Sequence, residues 1–376
     1  MATKRAPKST PKHQPPPPAL GLTREEIDQR VKKTIERTLA RNIPGLNVPT
    51  PELDLEVGQT PKELVYTRDT LRLYHYRPVL DEIYRVPLLI VMSPVARGYI
   101  LDLAPGQSLV EYLLLQGYDV YMADWAPPRR EHSHLSLGSF VNEMLDGAVE
   151  HIRVESGEAE LTLVGYCMGG MLSSLYTALH PHRGIKNLAC FTTPINADGM
   201  VLYKQWAESK SFDIDRLVEE LGIIPGDLIN ASIQALRPLQ RSANQLQLLN
   251  NVDNDAFVKA NLRFDRWAAD QLPLPGELAR DFVRDFLRGN HFISGDFPVG
   301  DKVVDLGKIR VPFLHVAAEY DHIVPTAASK DLIGLVGSSD KQEIVIKGGH
   351  VSLVAGGNAV YRLWPQLDRW LGARSV

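Results

Sequence analysis

A short stretch near the middle of the chain leaves little freedom of fold. Leu161-Thr162-Leu163-Val164 runs into Gly165-Tyr166-Cys167-Met168-Gly169-Gly170, and an apolar, helix-forming segment follows to Leu179. A strand that turns into a helix through G-x-C-x-G needs small flanking residues, because the two backbones approach closely there. The central side chain then stands clear at the C-terminal edge of a sheet. Free amides and the dipole at the helix N-terminus favour a thiolate. Cys167 is therefore the candidate nucleophile of an acyl transfer, and the Met168 amide a candidate donor to the oxyanion. A buried structural cysteine beside a glycine turn is the competing reading. The flanking strand and helix weigh against it.

The surrounding pattern supplies the sheet. Residues 64–67 and 71–76 read as strands, the second alternating with period two. Residues 86–92 are apolar throughout, as a strand covered on both faces is. Then helix and strand alternate: helix 109–116, strand 119–123, helix 139–154, strand 161–164, helix 170–179 and strand 185–192. From about 197 to 288 the pattern is mostly helical. Strands resume at 311–317 and 342–346, and a helix closes the chain over 359–371. This predicts an α/β-hydrolase fold, a mostly parallel sheet with a helical cap inserted over its active edge. The division expected is a Pro-rich tail over 1–20, a helical segment over 21–60, the core over 61–196 and 301–376, and the cap over 197–300. Within the second segment, Thr23-Arg24-Glu25-Glu26 reads as a capping box that starts a helix.

A thiol nucleophile needs a base and a group that orients it. In this architecture the chain order is nucleophile, acid, histidine, with the last two on loops after late strands. Asp321 follows the strand 311–317 and His350 follows the strand ending at Ile346, so both fit. Glu319 is the rival acid, less well placed than Asp321 ahead of Val324-Pro325. His322 is a candidate substrate-side residue or a partner of Asp321. His315 reads as structural, and His132 and His134 as solvated. Asp124 could line the pocket, whereas Trp125 is read as packing. The second oxyanion donor belongs to the loop after 86–92, with the Val95 amide as first choice and Ala96 as its neighbour. Cys190, between Ala189 and Phe191, reads as core.

The bulk numbers exclude several roles. The 376 residues carry a net charge of −4, with no sign of a nucleic-acid binder. Two cysteines exclude a disulfide framework and cysteine zinc sites. No apolar run reaches membrane-span length, and no secretory signal follows Lys4 and Arg5. The expected location is the cytoplasm. The first 20 residues, ending in four prolines, read as disordered.

Taken together, the chain resembles the polyhydroxyalkanoate synthases, closest to the catalytic subunit of the two-subunit class III type. The resemblance spans roughly residues 60 to 372. It rests on Leu71-Arg72-Leu73-Tyr74-His75-Tyr76, the run from Arg97 to Leu109, Asp124-Trp125, Gly165 to Gly170, Leu179-His180-Pro181, Ile224-Pro225-Gly226, Asp321-His322 and Gly348-Gly349-His350. It implies that Cys167 attacks the thioester of an (R)-3-hydroxyacyl-CoA and carries the acyl group. His350 then acts as general base and Asp321 orients or assists it. No cofactor is implied, since CoA is part of substrate and product. A homodimer, a second synthase subunit and the surface of a polyester granule are the implied partners. Met168, Ala96 and Gly98 depart from the family pattern.

Overall fold

The computed structural model describes residues 55–239, 246–248, 250–251 and 253–376. The expected tail and the helix beginning at Thr23 lie outside them. Eight strands build the main sheet: β1 (Lys62–Arg68), β2 (Leu71–Tyr76), β3 (Leu88–Val91), β4 (Val120–Trp125), β5 (Leu161–Tyr166), β6 (Ile185–Phe191), and two late strands, Phe313–Ala318 and Lys341–Ile346. The late pair are β11 and β12, because four short strands intervene. The order is β1-β2-β4-β3-β5-β6-β11-β12. β1 pairs with β2, and β2 with β4, antiparallel; every other pairing in this sheet is parallel. The expected α/β-hydrolase sheet is therefore present.

All four residues of β3 and all six of β5 are buried. This explains why their sequences are largely apolar rather than alternating; the Thr162 hydroxyl within β5 accepts from Asn187 Nδ2 at 2.8 Å. Each fully buried Leu, Ile or Val contributes roughly 1.5–3 kcal/mol. Helices cover both faces: α1 (Leu109–Leu115), α2 (Asp146–Ser156) and α3 (Met168–Leu179) follow β3, β4 and β5. Two expected helices differ at their starts. Residues Ser139–Leu145 before α2, and Ala359–Leu363 before the final helix Trp364–Gly372, are π-helical. Apolar periodicity does not distinguish that winding from an α-turn.

The register brings the strand ends level. Val91 pairs with Ala123 on one side and Gly165 on the other. Phe191 pairs with Tyr166 and Val316, and Ala318 with Ile346. The loops that follow β3, β5, β6, β11 and β12 therefore leave the sheet along one edge.

The segment inserted between β6 and β11 holds α4 (Val201–Glu208), α5 (Ile214–Leu221), α6 (Gly226–Leu236), α7 (Asp255–Ala269) and α8 (Gly276–Asp281). Within it, a two-residue pairing of β7 (Ile223–Ile224) with β8 (Leu274–Pro275) joins the segments that flank α6 and α7. A hairpin of β9 (Phe297–Val299) and β10 (Lys302–Val304) then leads back to the core. The expected cap boundary at 300 falls on the turn of this hairpin, where Gly300 has φ 62°. Strands of three residues are too short to show a period of two. Among the described residues, no helix is long and apolar enough to cross a membrane.

Candidate active site

β5 ends at Tyr166 and α3 begins at Met168, leaving Cys167 alone in the turn with φ 56° and ψ −123°. A non-glycine residue there carries strain on the order of 1–3 kcal/mol. Its amide donates to the Phe191 carbonyl at 2.9 Å, which pins the turn to β6. The glycines around it have no room for a side chain. A Cβ on Gly165 would lie 2.6 Å from the Gly169 carbonyl oxygen, one on Gly169 would strike the Val91 carbonyl, and one on Gly170 would strike Thr193. Close backbone contact, as the sequence suggested, is what these glycines permit. The Cys167 side chain remains half-buried rather than sealed in the core.

Asp321 and His350 meet across the ends of β11 and β12. His350 Nδ1 donates to Asp321 Oδ2 at 2.7 Å, and both residues are buried. The other carboxylate oxygen accepts from the backbone amides of Ile323 and Val324, each at 2.9 Å. Thr192 donates its hydroxyl to Oδ2 as well. Burial alone would raise the Asp321 carboxyl, but the His350 charge and these hydrogen bonds hold it below its ordinary value. Burial opposes a charge on His350 too. The Asp321 carboxylate beside it, and then a hydrogen bond with the Cys167 thiol, override that and raise the imidazole. The structure therefore brings Cys167, His350 and Asp321 into one line, with the His350–Asp321 hydrogen bond as its fixed part and the thiol beside the imidazole. Such a line can move a proton off the thiol and stabilise the imidazolium that results.

Both expected oxyanion amides are free. Met168 N, at the first turn of α3, and Val95 N, in the loop after β3, donate to no acceptor among the described residues. Ala96 N is already spent on the Ser93 carbonyl at 3.1 Å, which removes it as an alternative donor. Gly98 has a local reason: a Cβ there would lie 2.8 Å from Asp124 Cγ and from Met122 Sδ.

Other residues fall as follows. Asp124 accepts from the amides of Gly98 at 3.1 Å and Trp125 at 2.9 Å, so it braces the loop after β3. Trp125 is buried against Phe140 and donates to the Met92 carbonyl at 2.9 Å. Glu319 is exposed, away from the buried pair. His322 is half-buried and finds no hydrogen-bond partner among the described residues. Burial, then the nearby Arg237 charge, lowers its pKa. His315 is fully buried and pairs with Glu343 at 2.9 Å. His134 is exposed, whereas His132 is half-buried and accepts from the Arg129 amide at 2.9 Å, so it is not simply solvated. Its ring closes a 3-10 turn that a polar sequence does not announce. Cys190 is fully buried, and burial pushes its thiol up to about 12.

Sequence reasoning missed three neighbours. Thr192 shares Asp321. Tyr166 lies with its ring 5.2 Å from that of His350 and donates to the His350 carbonyl at 3.3 Å. On α4 of the cap, burial pushes the Tyr203 hydroxyl up to about 12, a hydrogen bond with Ser232 opposes this, and the Cys167 charge adds to it. That places a cap hydroxyl within electrostatic reach of the thiol. No group of three or more metal-ligating side chains comes together among the described residues.

The comparisons bear on the fold and the family. Residues 100–356 match the family model of the alpha/beta hydrolase fold, and residues 49–113 match that of the poly-beta-hydroxybutyrate polymerase (PhaC) N-terminus. The chain is 36% identical to the poly(3-hydroxyalkanoate) polymerase subunit PhaC of Allochromatium vinosum, over 85% of this chain and 90% of that protein. It is 35% identical to the protein of the same name from Synechocystis, over 89% of each chain. The corresponding Haloferax mediterranei subunit is 33% identical over 95% of this chain and 72% of its own length. A solved structure from Sulfolobus solfataricus overlays with a TM-score of 0.54 at 16% identity, covering 84% of this chain and 98% of that one, which shows the fold alone. With the α/β-hydrolase sheet, the cysteine elbow and these relatives all in agreement, the chain belongs to the PhaC family of poly(3-hydroxyalkanoate) polymerases.

Proposed function

We propose that this protein is an acyltransferase that polymerises (R)-3-hydroxyacyl-CoA thioesters to polyester through an acyl-enzyme on Cys167. One observation carries the reading: the half-buried thiol on its strained turn lies beside a histidine whose Nδ1 is fixed by a buried carboxylate.

The chemistry follows from that line. Asp321 holds His350 Nδ1 as a donor and favours the imidazolium, so the Cys167 proton resides on Nε2 beside the thiolate. The thiolate attacks the thioester carbonyl, and the oxyanion is met by the Met168 and Val95 amides. Collapse expels CoA sulfur, which leaves with the proton returned from His350. A second turn of the same groups transfers the acyl chain. His350 removes the 3-hydroxyl proton of the next unit, that oxygen attacks the Cys167 thioester, and the cysteine is released. The reaction needs no redox step and no external Lewis acid, in keeping with an enzyme that uses no cofactor. The resemblance to class III subunits supports a homodimer working with a second synthase subunit, in the cytoplasm at a polyester granule surface.

The test is direct. Purified protein given (R)-3-hydroxybutyryl-CoA, alone and with a second synthase subunit, releases CoA and deposits insoluble polyester. Release of CoA with only free 3-hydroxybutyrate would instead mark a thioesterase on the same scaffold. No release under either condition would mark a granule-associated binding subunit.

A further inference from the structure

Residues 93–99, the loop after β3, carry the free Val95 amide and are held from two sides. From the core, Asp124 accepts from Gly98 N at 3.1 Å. From the cap come four contacts, all from the end of α7 and the residues just after it. Leu272 N donates to the Val95 carbonyl at 2.9 Å, and Trp267 Nε1 donates to the Arg97 carbonyl at 2.9 Å. Asp270 Oδ1 accepts from Arg97 Nε at 3.2 Å, and Asp270 Oδ2 accepts from Tyr99 Oη at 3.3 Å. One cap carboxylate thus ties two side chains of the loop, while the Trp267 indole before it and the Leu272 amide after it bond the loop's main chain.

We infer that Asp270 is a positioning residue for the reaction at Cys167: through Arg97 and Tyr99 it fixes the 93–99 loop so that the Val95 amide faces the developing oxyanion. The inference rests on the nucleophilic role of Cys167 argued above. Arg97 and Asp270 are partly solvated, with side chains 30% and 42% exposed, so their ion pair adds little to stability. Its value lies in geometry. An oxyanion donor acts only when it is held at hydrogen-bond distance from the charge that forms, and small displacements cost rate rather than binding. Burial and then the Asp270 charge push the Tyr99 hydroxyl up to about 12, so it remains a neutral donor at working pH. The arrangement also makes catalytic geometry depend on a docked cap: if α7 moves off the core, the donor loop loses four of its contacts together.

The full-length variants Asp270→Ala, Asp270→Asn and Tyr99→Phe test this with two readouts. One is steady-state CoA release from (R)-3-hydroxybutyryl-CoA. The other is the rate of Cys167 alkylation by iodoacetamide, which uses the thiolate but forms no oxyanion. Asp270→Ala is expected to lower kcat about tenfold to a hundredfold with KM within about twofold, the scale of a weakened oxyanion donor. Asp270→Asn, which keeps an acceptor, and Tyr99→Phe lose less, and the alkylation rate stays at the wild-type value in all three. Unchanged kcat, a change confined to KM, or an equal loss of kcat and alkylation overturns the inference. Cys167→Ala run in parallel separates the two claims. If it retains turnover, the nucleophile assignment and this inference fall together; if it is dead while the Asp270 variants keep full kcat, only the positioning role is refuted.

Discussion

The two cysteines of this chain sit on or just beyond neighbouring strands, and the fold treats them in opposite ways. Cys190 lies inside β6, paired across to Gly165 of β5. Its thiol is sealed in the core, 3.3 Å from the Ser174 hydroxyl, and burial suppresses its ionisation. Cys167 lies two residues beyond Gly165, just past the last residue of the strand. There the backbone is strained, the side chain is half-buried and His350 is within hydrogen-bonding reach. An offset of two residues in register separates a packing group from a group poised to react. Intrinsic thiol chemistry is the same in both, so the difference is made by where the strand stops and what the next loops bring.

The sharpest way to break that contrast is Cys167→Ala. It is expected to cut CoA release by on the order of 10³-fold or more, since members of such a relay act as a unit. Comparable activity in Cys167→Ala and wild type would mean the two cysteines are alike after all. Asp321→Asn comes next, with a loss on the order of 10²- to 10⁴-fold in kcat, because the amide no longer fixes His350 as a donor at Nδ1.

The same substitution changes the pH profile of stability. Asp321 is depressed in the fold, so its share of stability is present above its unfolded value of about 3.9 and is lost as pH falls through the lower folded value. His350 is raised, so its share is present below its unfolded value of about 6.5 and is lost as pH rises through the higher folded value. Thermal melting followed between these limits should show a stability plateau in the wild type that Asp321→Asn flattens. An identical profile in the two proteins would mean the pair is not ionised as described.

Thr192→Val removes one donor to Asp321 while keeping its shape. It should cost about 1 kcal/mol of transition-state stabilisation, roughly fivefold in kcat. Cys190→Ala marks the other side of the comparison. It should leave kcat within about twofold and lower stability by about 1 kcal/mol, read as a small drop in melting temperature.

What the sequence carried and what it did not divide along the same physical line. The elbow is local: a strand, three glycines and a helix lie within twenty residues, even though Gly169 and Gly170 are also packed against Val91 and Thr193 from neighbouring strands and loops. Asp321 and His350 are legible because in this architecture loops after late strands converge on one edge. Thr192 has no such signature. It lies 129 residues from Asp321, and a threonine after a strand is commonplace. Arg97 and Asp270, 173 residues apart, are likewise joined only by the way the cap closes on the core. Tyr203 and the β9–β10 hairpin belong to the same group. Periodicity reports which face of an element is buried, not which side chains meet across the inserted segment.

The most direct test of the central claim is to quench the protein within its first turnovers on (R)-3-hydroxybutyryl-CoA, digest it, and locate the acyl group by mass spectrometry. The account predicts hydroxybutyryl units on the peptide that carries Cys167, none on the peptide that carries Cys190, and none anywhere in Cys167→Ala. Acylation at another residue, or CoA release with no protein-bound acyl group at any time, would contradict it.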